Sequence, residues 1–163
     1  MTDNVIKLNK KDTLRFNIIT DKGEKTNEYI EFDLEDIELP LKYQELLERD
    51  KKNKENLRNQ MLIIDKRQDV KGKKLLSKNE EDKIRVLVDF FKKEVETYNI
   101  FLGENGVQKL LNGRKIGWTT LQEIDEIIEK QIMPHYDLDM GRITEKVKEK
   151  YSQAVKRNEE VLK

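Results

Sequence analysis

Four of the chain's seven glycines fall within FLGENGVQKLLNGRKIGW (residues 101–118), a segment that ends on its only tryptophan. Glycines at that density could cradle a phosphate, because unhindered backbone N–H groups can approach an anion closely. A phosphate loop, however, needs GxxxxGK followed by Ser or Thr, directly after a buried strand. GVQKLLNGRK has six residues between Gly106 and Gly113, lacks the hydroxyl residue, and follows a helical pattern. A dinucleotide fingerprint would need a βαβ setting that this stretch also lacks. The glycines therefore read as punctuation between helices, and no nucleotide cofactor is expected.

A second constellation is His135, Asp137 and Asp139 in PHYDLDMG. A protein-bound metal generally needs three or four convergent ligands. Here there is one histidine and no cysteine in the chain, and Lys148 stands where an EF-hand loop from Asp137 would need its twelfth-position glutamate. No metal is expected, and the segment reads as a linker between helices. The same scarcity removes cysteine nucleophiles and leaves a histidine triad little choice of parts. Carboxylates are abundant but fall on charged helix faces, so no catalytic residue is assigned. The lysine clusters KNKEN (52–56) and KGKKLLSK (71–78) have acidic residues nearby and no aromatic platform for bases. They read as solvated surface rather than a nucleic-acid interface.

The elements around these residues follow from composition and periodicity. Charged residues make up 40% of the 163-residue chain and hydrophobic ones 36%, with 33 basic side chains balancing 33 acidic ones. Such a chain can bury a modest core, and no global field favours nucleic acid or an anionic membrane. The N-terminal MTDNVIKLNKKD lacks the apolar core of a signal peptide. No apolar run approaches the roughly 18 residues of a membrane span. These features and the lack of cysteine lead to the expectation of a soluble cytoplasmic protein without membrane contact.

Leu14, Phe16 and Ile18 alternate with polar residues, Gly23 supplies a turn, and Ile30, Phe32 and Leu34 alternate again, which predicts a β-hairpin over residues 13–34. A lone hairpin is marginal in water, so it must pack on helices or pair with another copy. Beyond Asp36 the pattern is helical. Pro40 suits a first turn, and Tyr43, Leu46, Leu47, Leu57, Met61 and Ile64 form an apolar face that the charged run 49–56 interrupts. That leaves either one long helix or a break near Asn53. Gly72 and its lysines suggest a hinge over 70–82, with Ser77 and Glu80 as a capping box for the next helix. There Ile84, Leu87, Val88, Phe91, Val95, Tyr98 and Leu102 make a continuous stripe, widened by Phe90 and Phe101, that should be the core's spine.

Gly103 is placed to end that helix, Val107–Leu111 to form one turn, and Asn112-Gly113 to end the turn. Thr119 or Thr120 can cap a helix carrying Leu121, Ile124, Ile127, Ile128 and Ile132, which Pro134 stops. A last helix beyond Gly141 carries a thin apolar line of Ile143, Val147, Tyr151, Ala154 and Val155. Residues 142–163 hold seven basic and four acidic side chains, a net of +3. The expected fold is α+β, mostly α: an N-terminal hairpin followed by four to five helices. Its expected divisions are 1–69 (hairpin plus charged helix), 70–82 (lysine-rich hinge) and 83–163 (helical domain).

The strand-rich start, the charged linker and FFKKEVETYNIFLGENGVQKLLNGRKIGWTTLQEIDEII (90–128) together resemble the tail assembly chaperones of long-tailed phages and prophages of Gram-positive bacteria. The shared features are an acidic FDLED end to the strands (Phe32–Asp36), a double-aromatic helix, a G-x-x-G turn leading to a leucine pair with glycine (Gly103–Gly113), and a closing helix. The likeness spans residues 13–133; the lysine-rich middle and the basic C-terminal helix depart from it. It implies a non-enzymatic protein that binds the tape measure protein, assists polymerisation of the tail tube protein around it, and then leaves. Members often have a longer form made by ribosomal frameshifting. Phe90, Phe91, Phe101, Leu102, Leu110, Leu111, Arg114 and Trp118 form the expected packing and interaction segment, with Leu110, Leu111 and Trp118 turned into the core. Self-association is expected, because the small hairpin and the thin last helix both leave apolar surface to cover. The alternative is a small phage or mobile-element protein that inhibits a host protein by surface binding.

Overall fold

The computed structural model describes residues 4, 6, 7, 13–135, 148–150, 152, 153 and 155–157. The fold is α+β and mostly helical, with one two-stranded antiparallel sheet. Two compact units, Met1–Leu121 and Gln122–Lys163, divide the chain. The first unit thus carries the strands and the first two long helices together, and the lysine-rich stretch lies inside it.

Strands β1 (Thr13–Ile19) and β2 (Lys25–Asp33) turn at Gly23, whose φ of 80° suits a residue without Cβ. Their register sets Leu14 opposite Phe32 and Phe16 opposite Ile30, so the apolar sets share one face. On the other face Arg15 pairs with Glu31 and lies over the Tyr29 ring, 4.1 Å from its centroid. Phe32 packs on Phe101 of the helical part, with ring centroids 5.4 Å apart. Of the two ways to cover the hairpin, packing on helices is the one realised within the chain.

Helix α1 (Leu39–Asp65) runs unbroken for 27 residues through the charged segment. Pro40 sits in its first turn, where a missing N–H costs no hydrogen bond. Helix α2 (Lys78–Leu102) begins at Ser77, whose Oγ accepts the Glu80 N–H at 3.1 Å. The two helices form an antiparallel hairpin, as successive contacts show: Asn79 with Ile64, Asn53 with Glu94, and Tyr43 with Phe101.

The segment expected to be a hinge is tied down at both ends. Asp69 Oδ1 accepts the N–H groups of Val70 and Asn79, at 2.8 and 3.0 Å. Asn79 Nδ2 in turn donates to the carbonyls of Ile64 and Arg67, satisfying two acceptors at the C-terminal end of α1. Asp82 takes ion pairs from Arg67 and Lys78, and Lys83 pairs with Asp65.

Gly103 ends α2 with φ 92° and ψ 179°, a region open to glycine alone. Helix α3 (Gly106–Leu111) is flanked by Asn105 and Asn112, both left-handed. Asn99 of α2 accepts the Val107 N–H at 2.8 Å, so one helix caps the start of another. At Gly106 an added Cβ would lie 2.5 Å from Leu102 Cβ, so close packing there excludes any side chain. Helix α4 (Trp118–Ile127) starts two or three residues earlier than the threonine caps predicted. Thr120, its third residue, instead reaches back to accept the Gly117 N–H at 2.7 Å.

In the second unit α4 passes into a π-helical turn, Ile128–Ile132, and a 3₁₀ turn, Met133–His135, which contains Pro134. Ile124, Ile128 and Ile132 are buried. Residues 148–150, 152, 153 and 155–157 are helical. Asp137, Asp139, Gly141, Ile143, Val147, Tyr151 and Ala154 lie outside the described residues.

Candidate functional site

The stripe expected to form the spine of α2 is only partly buried. Tyr98 and Leu102 are inside, but Ile84 is 46% exposed and Val88 48%, with Phe91 and Val95 half-buried beside them. The buried face of α2 instead runs through Phe90, Glu94, Thr97, Tyr98 and Phe101. On α1 the inward line is Leu39, Tyr43, Leu46, Asp50, Asn53, Leu57, Met61 and Ile64, while Leu47 is exposed. These spacings of three and four follow the seam of a helical pair, continued straight through the charged run. Apolar periodicity alone misplaced the α2 face because two polar residues, Glu94 and Thr97, occupy its centre.

The expected interaction segment separates into three groups. Phe90, Phe101, Leu102 and Leu111 belong to the core, and Phe91 and Leu110 are half-buried. Arg114 and Trp118 are on the surface, where Trp118 is 53% exposed. The expectation of a core tryptophan is thus corrected. Helical side chains lean toward the N-terminus of their helix. For the first residue of α4 that direction leads off the helix end, over α2 rather than beneath it. The indole still packs on rings, with centroids 5.3 Å from Phe90 and 5.0 Å from Phe91.

Ile84, Val88, Phe91, Val95 and Trp118 therefore make an apolar strip along the outer side of α2, in a unit that also exposes Leu41, Leu47, Leu62 and Ile63 on α1. Its chemistry is that of a helix-binding surface: aliphatic side chains and Phe91 along α2, edged by the half-exposed indole of Trp118. A separate open groove of about 320 Å³ lies between α1 and α2 near their connection, lined by Ile63, Arg67, Asp82 and Val86 among others.

Sequence reasoning missed the polar layer inside the α1–α2 pair. Asn53 Nδ2 donates to Glu94 Oε1 at 2.8 Å and to Thr97 Oγ1 at 3.1 Å. Glu94 is 0% exposed. Lys54 pairs with Asp50 Oδ2 at 3.0 Å. Burial and the neighbouring Asp50 push the Glu94 carboxyl up to about 8. The available signal was the unbroken three-and-four spacing Leu46–Asp50–Asn53–Leu57, with Phe90–Glu94–Thr97–Phe101 opposite.

Among the described residues no group of three or more histidines, cysteines and carboxylates converges to hold a metal, and no helix is long and apolar enough to cross a membrane. His135 closes the 3₁₀ turn, while Asp137 and Asp139 of the same motif fall outside those residues. Compared with known proteins, the chain matches no family model, no curated protein and no solved structure.

Proposed function

We propose that the chain is a non-enzymatic binding protein of the tail assembly chaperone kind, which holds helical stretches of a tape measure protein during tail tube assembly in the host cytoplasm. The observation that carries this reading is the exposed strip of Ile84, Val88 and Trp118 on α2. These side chains follow one another at steps of three and four and meet an aromatic at Trp118, a spacing that an amphipathic partner helix would cover. The resemblance over residues 13–133 supplies the partner's identity. Many similar stretches along a tape measure protein would let copies bind side by side, each contact weak and the array stable through multivalency. Head-to-tail contacts of that kind need not close into a ring.

Co-expression with a tape measure protein, followed by size-exclusion chromatography with light scattering, tests the proposal. The expected result is monomers or small oligomers of the chain alone and large complexes together. Separate elution at concentrations well above micromolar refutes it and favours the inhibitor of a host protein.

A further inference from the structure

Two buried oxygens in the α1–α2 layer, Asp50 Oδ1 and Glu94 Oε2, have no donor among the hydrogen-bonding groups around them. The other oxygen of each carboxyl is occupied: Asn53 donates to Glu94 Oε1, and Lys54 pairs with Asp50 Oδ2. Asp50 is the carboxyl neighbour that acts on Glu94 across this layer. Two neighbouring acceptors in a buried layer repel unless something positive lies between them. A proton is the smallest such thing, and it turns Glu94 into a donor, pairing both orphaned oxygens at once.

We propose that Glu94 is held as a neutral acid whose proton bridges to Asp50, and that this proton is a latch closing α1 on α2. The charged groups that act on Glu94 are both on α1: Asp50, which favours the protonated form, and Lys54, which opposes it. Helix α3 also packs on α2, but its Lys109 lies over the Tyr29 ring, 5.8 Å from the centroid.

The direction of the pH dependence follows. The carboxyl sits at about 8 in the fold against an ordinary 4.5, so the native state keeps a proton that the unfolded chain releases. The latch's stabilisation is complete below the ordinary value and is lost as pH rises through the folded one. Between the two, the unfolding equilibrium constant should rise about tenfold per pH unit, the dependence of a single proton.

Urea unfolding of the whole chain from pH 5 to pH 9 tests this, alongside Glu94→Gln and Asp50→Asn. The expected result is a one-proton loss of stability in the wild type that flattens in both variants, because an amide supplies the donor permanently. Wild-type infrared spectra should also keep a buried carboxylic acid band at neutral pH, so the proposal stays testable if a variant fails to fold. A wild-type stability flat across that range, a Glu94→Gln variant with an unchanged slope, or no acid band would overturn it. Stabilisation at alkaline pH by magnesium chloride, reversed by a chelator, would also overturn it, by placing a cation between the carboxyls.

Discussion

Trp118→Ala separates the two demands placed on one side chain. The residue is 53% exposed, so slightly under half of it is removed from water. A wholly buried indole covers about 250 Å², so roughly 120 Å² is at stake here. At about 25 cal/mol per Å² that burial contributes about 3 kcal/mol. A denatured chain that already hides part of its apolar surface lowers the figure to about 2 kcal/mol. For a chain of this length the expected fall in melting temperature is roughly 4–8 °C, followed by circular dichroism because the variant has no tryptophan. Partner binding should suffer more in relative terms. An aromatic anchor at an interface is worth at least about 2 kcal/mol, or about 30-fold in Kd. Trp118→Phe, which keeps a ring against Phe90 and Phe91, should recover most of the stability and part of the binding. In the wild type, the emission of this single tryptophan should shift to the blue when a partner helix covers it. A stability loss above about 4 kcal/mol would place Trp118 in the core after all, since wholly buried aromatics cost roughly that much. Unchanged binding by a folded Trp118→Ala variant would remove the strip from the interface.

Three further outcomes are expected. Gly106→Ala should destabilise by about 1–3 kcal/mol in chemical denaturation, because its Cβ would meet Leu102 Cβ and neither atom sits at a flexible end. Asn79→Ala should cost about 1–3 kcal/mol, leaving the buried carbonyl of Ile64 and the part-buried carbonyl of Arg67 without their side-chain donor, with faster amide exchange at the end of α1 as the local readout. The hydrogen bond from Lys42 holds Asp36 below its usual range, so its stabilisation is present above the ordinary carboxyl value and is lost as pH falls below it. Lys42→Met should therefore flatten the acid limb of the stability profile while costing no more than about 1 kcal/mol at neutral pH, since the pair is partly exposed.

The β-hairpin, the capping of α2 by Ser77 and the glycine-punctuated succession of helices were legible in sequence because each depends on residues close together in the chain. Asn105 and Asn112 share the left-handed positions with the glycines, a role that asparagine tolerates and that glycine counting overlooks. What could not be read locally was which side of α2 faces α1. Ile84 and Val88 follow the helical period as well as Phe90 and Phe101 do, and only the partner helix decides between the two faces. Glu94 hid the answer, because a glutamate counts as surface until its neighbours are known. Trp118 failed for a geometric reason, its position at the first residue of a helix.

The stapled turn between α1 and α2 also sets an order of events in time. The bond from Asn79 to Ile64 closes a span of 15 residues, that from Asn53 to Glu94 spans 41, and the aromatic contact of Tyr43 with Phe101 spans more still. Chain-closure entropy grows with span, so the two helices zip from the turn outward, each closed contact shortening the loop left for the next. The strands pair across a short turn of their own, but Phe32 can reach its ring contact only after Phe101 is in place, so seating the hairpin waits for the end of α2. On a ribosome, the N-terminal hairpin is thus made first and seated late. It waits with its apolar face open until the end of α2 has been synthesised, and for that interval a neighbouring nascent chain can compete for it.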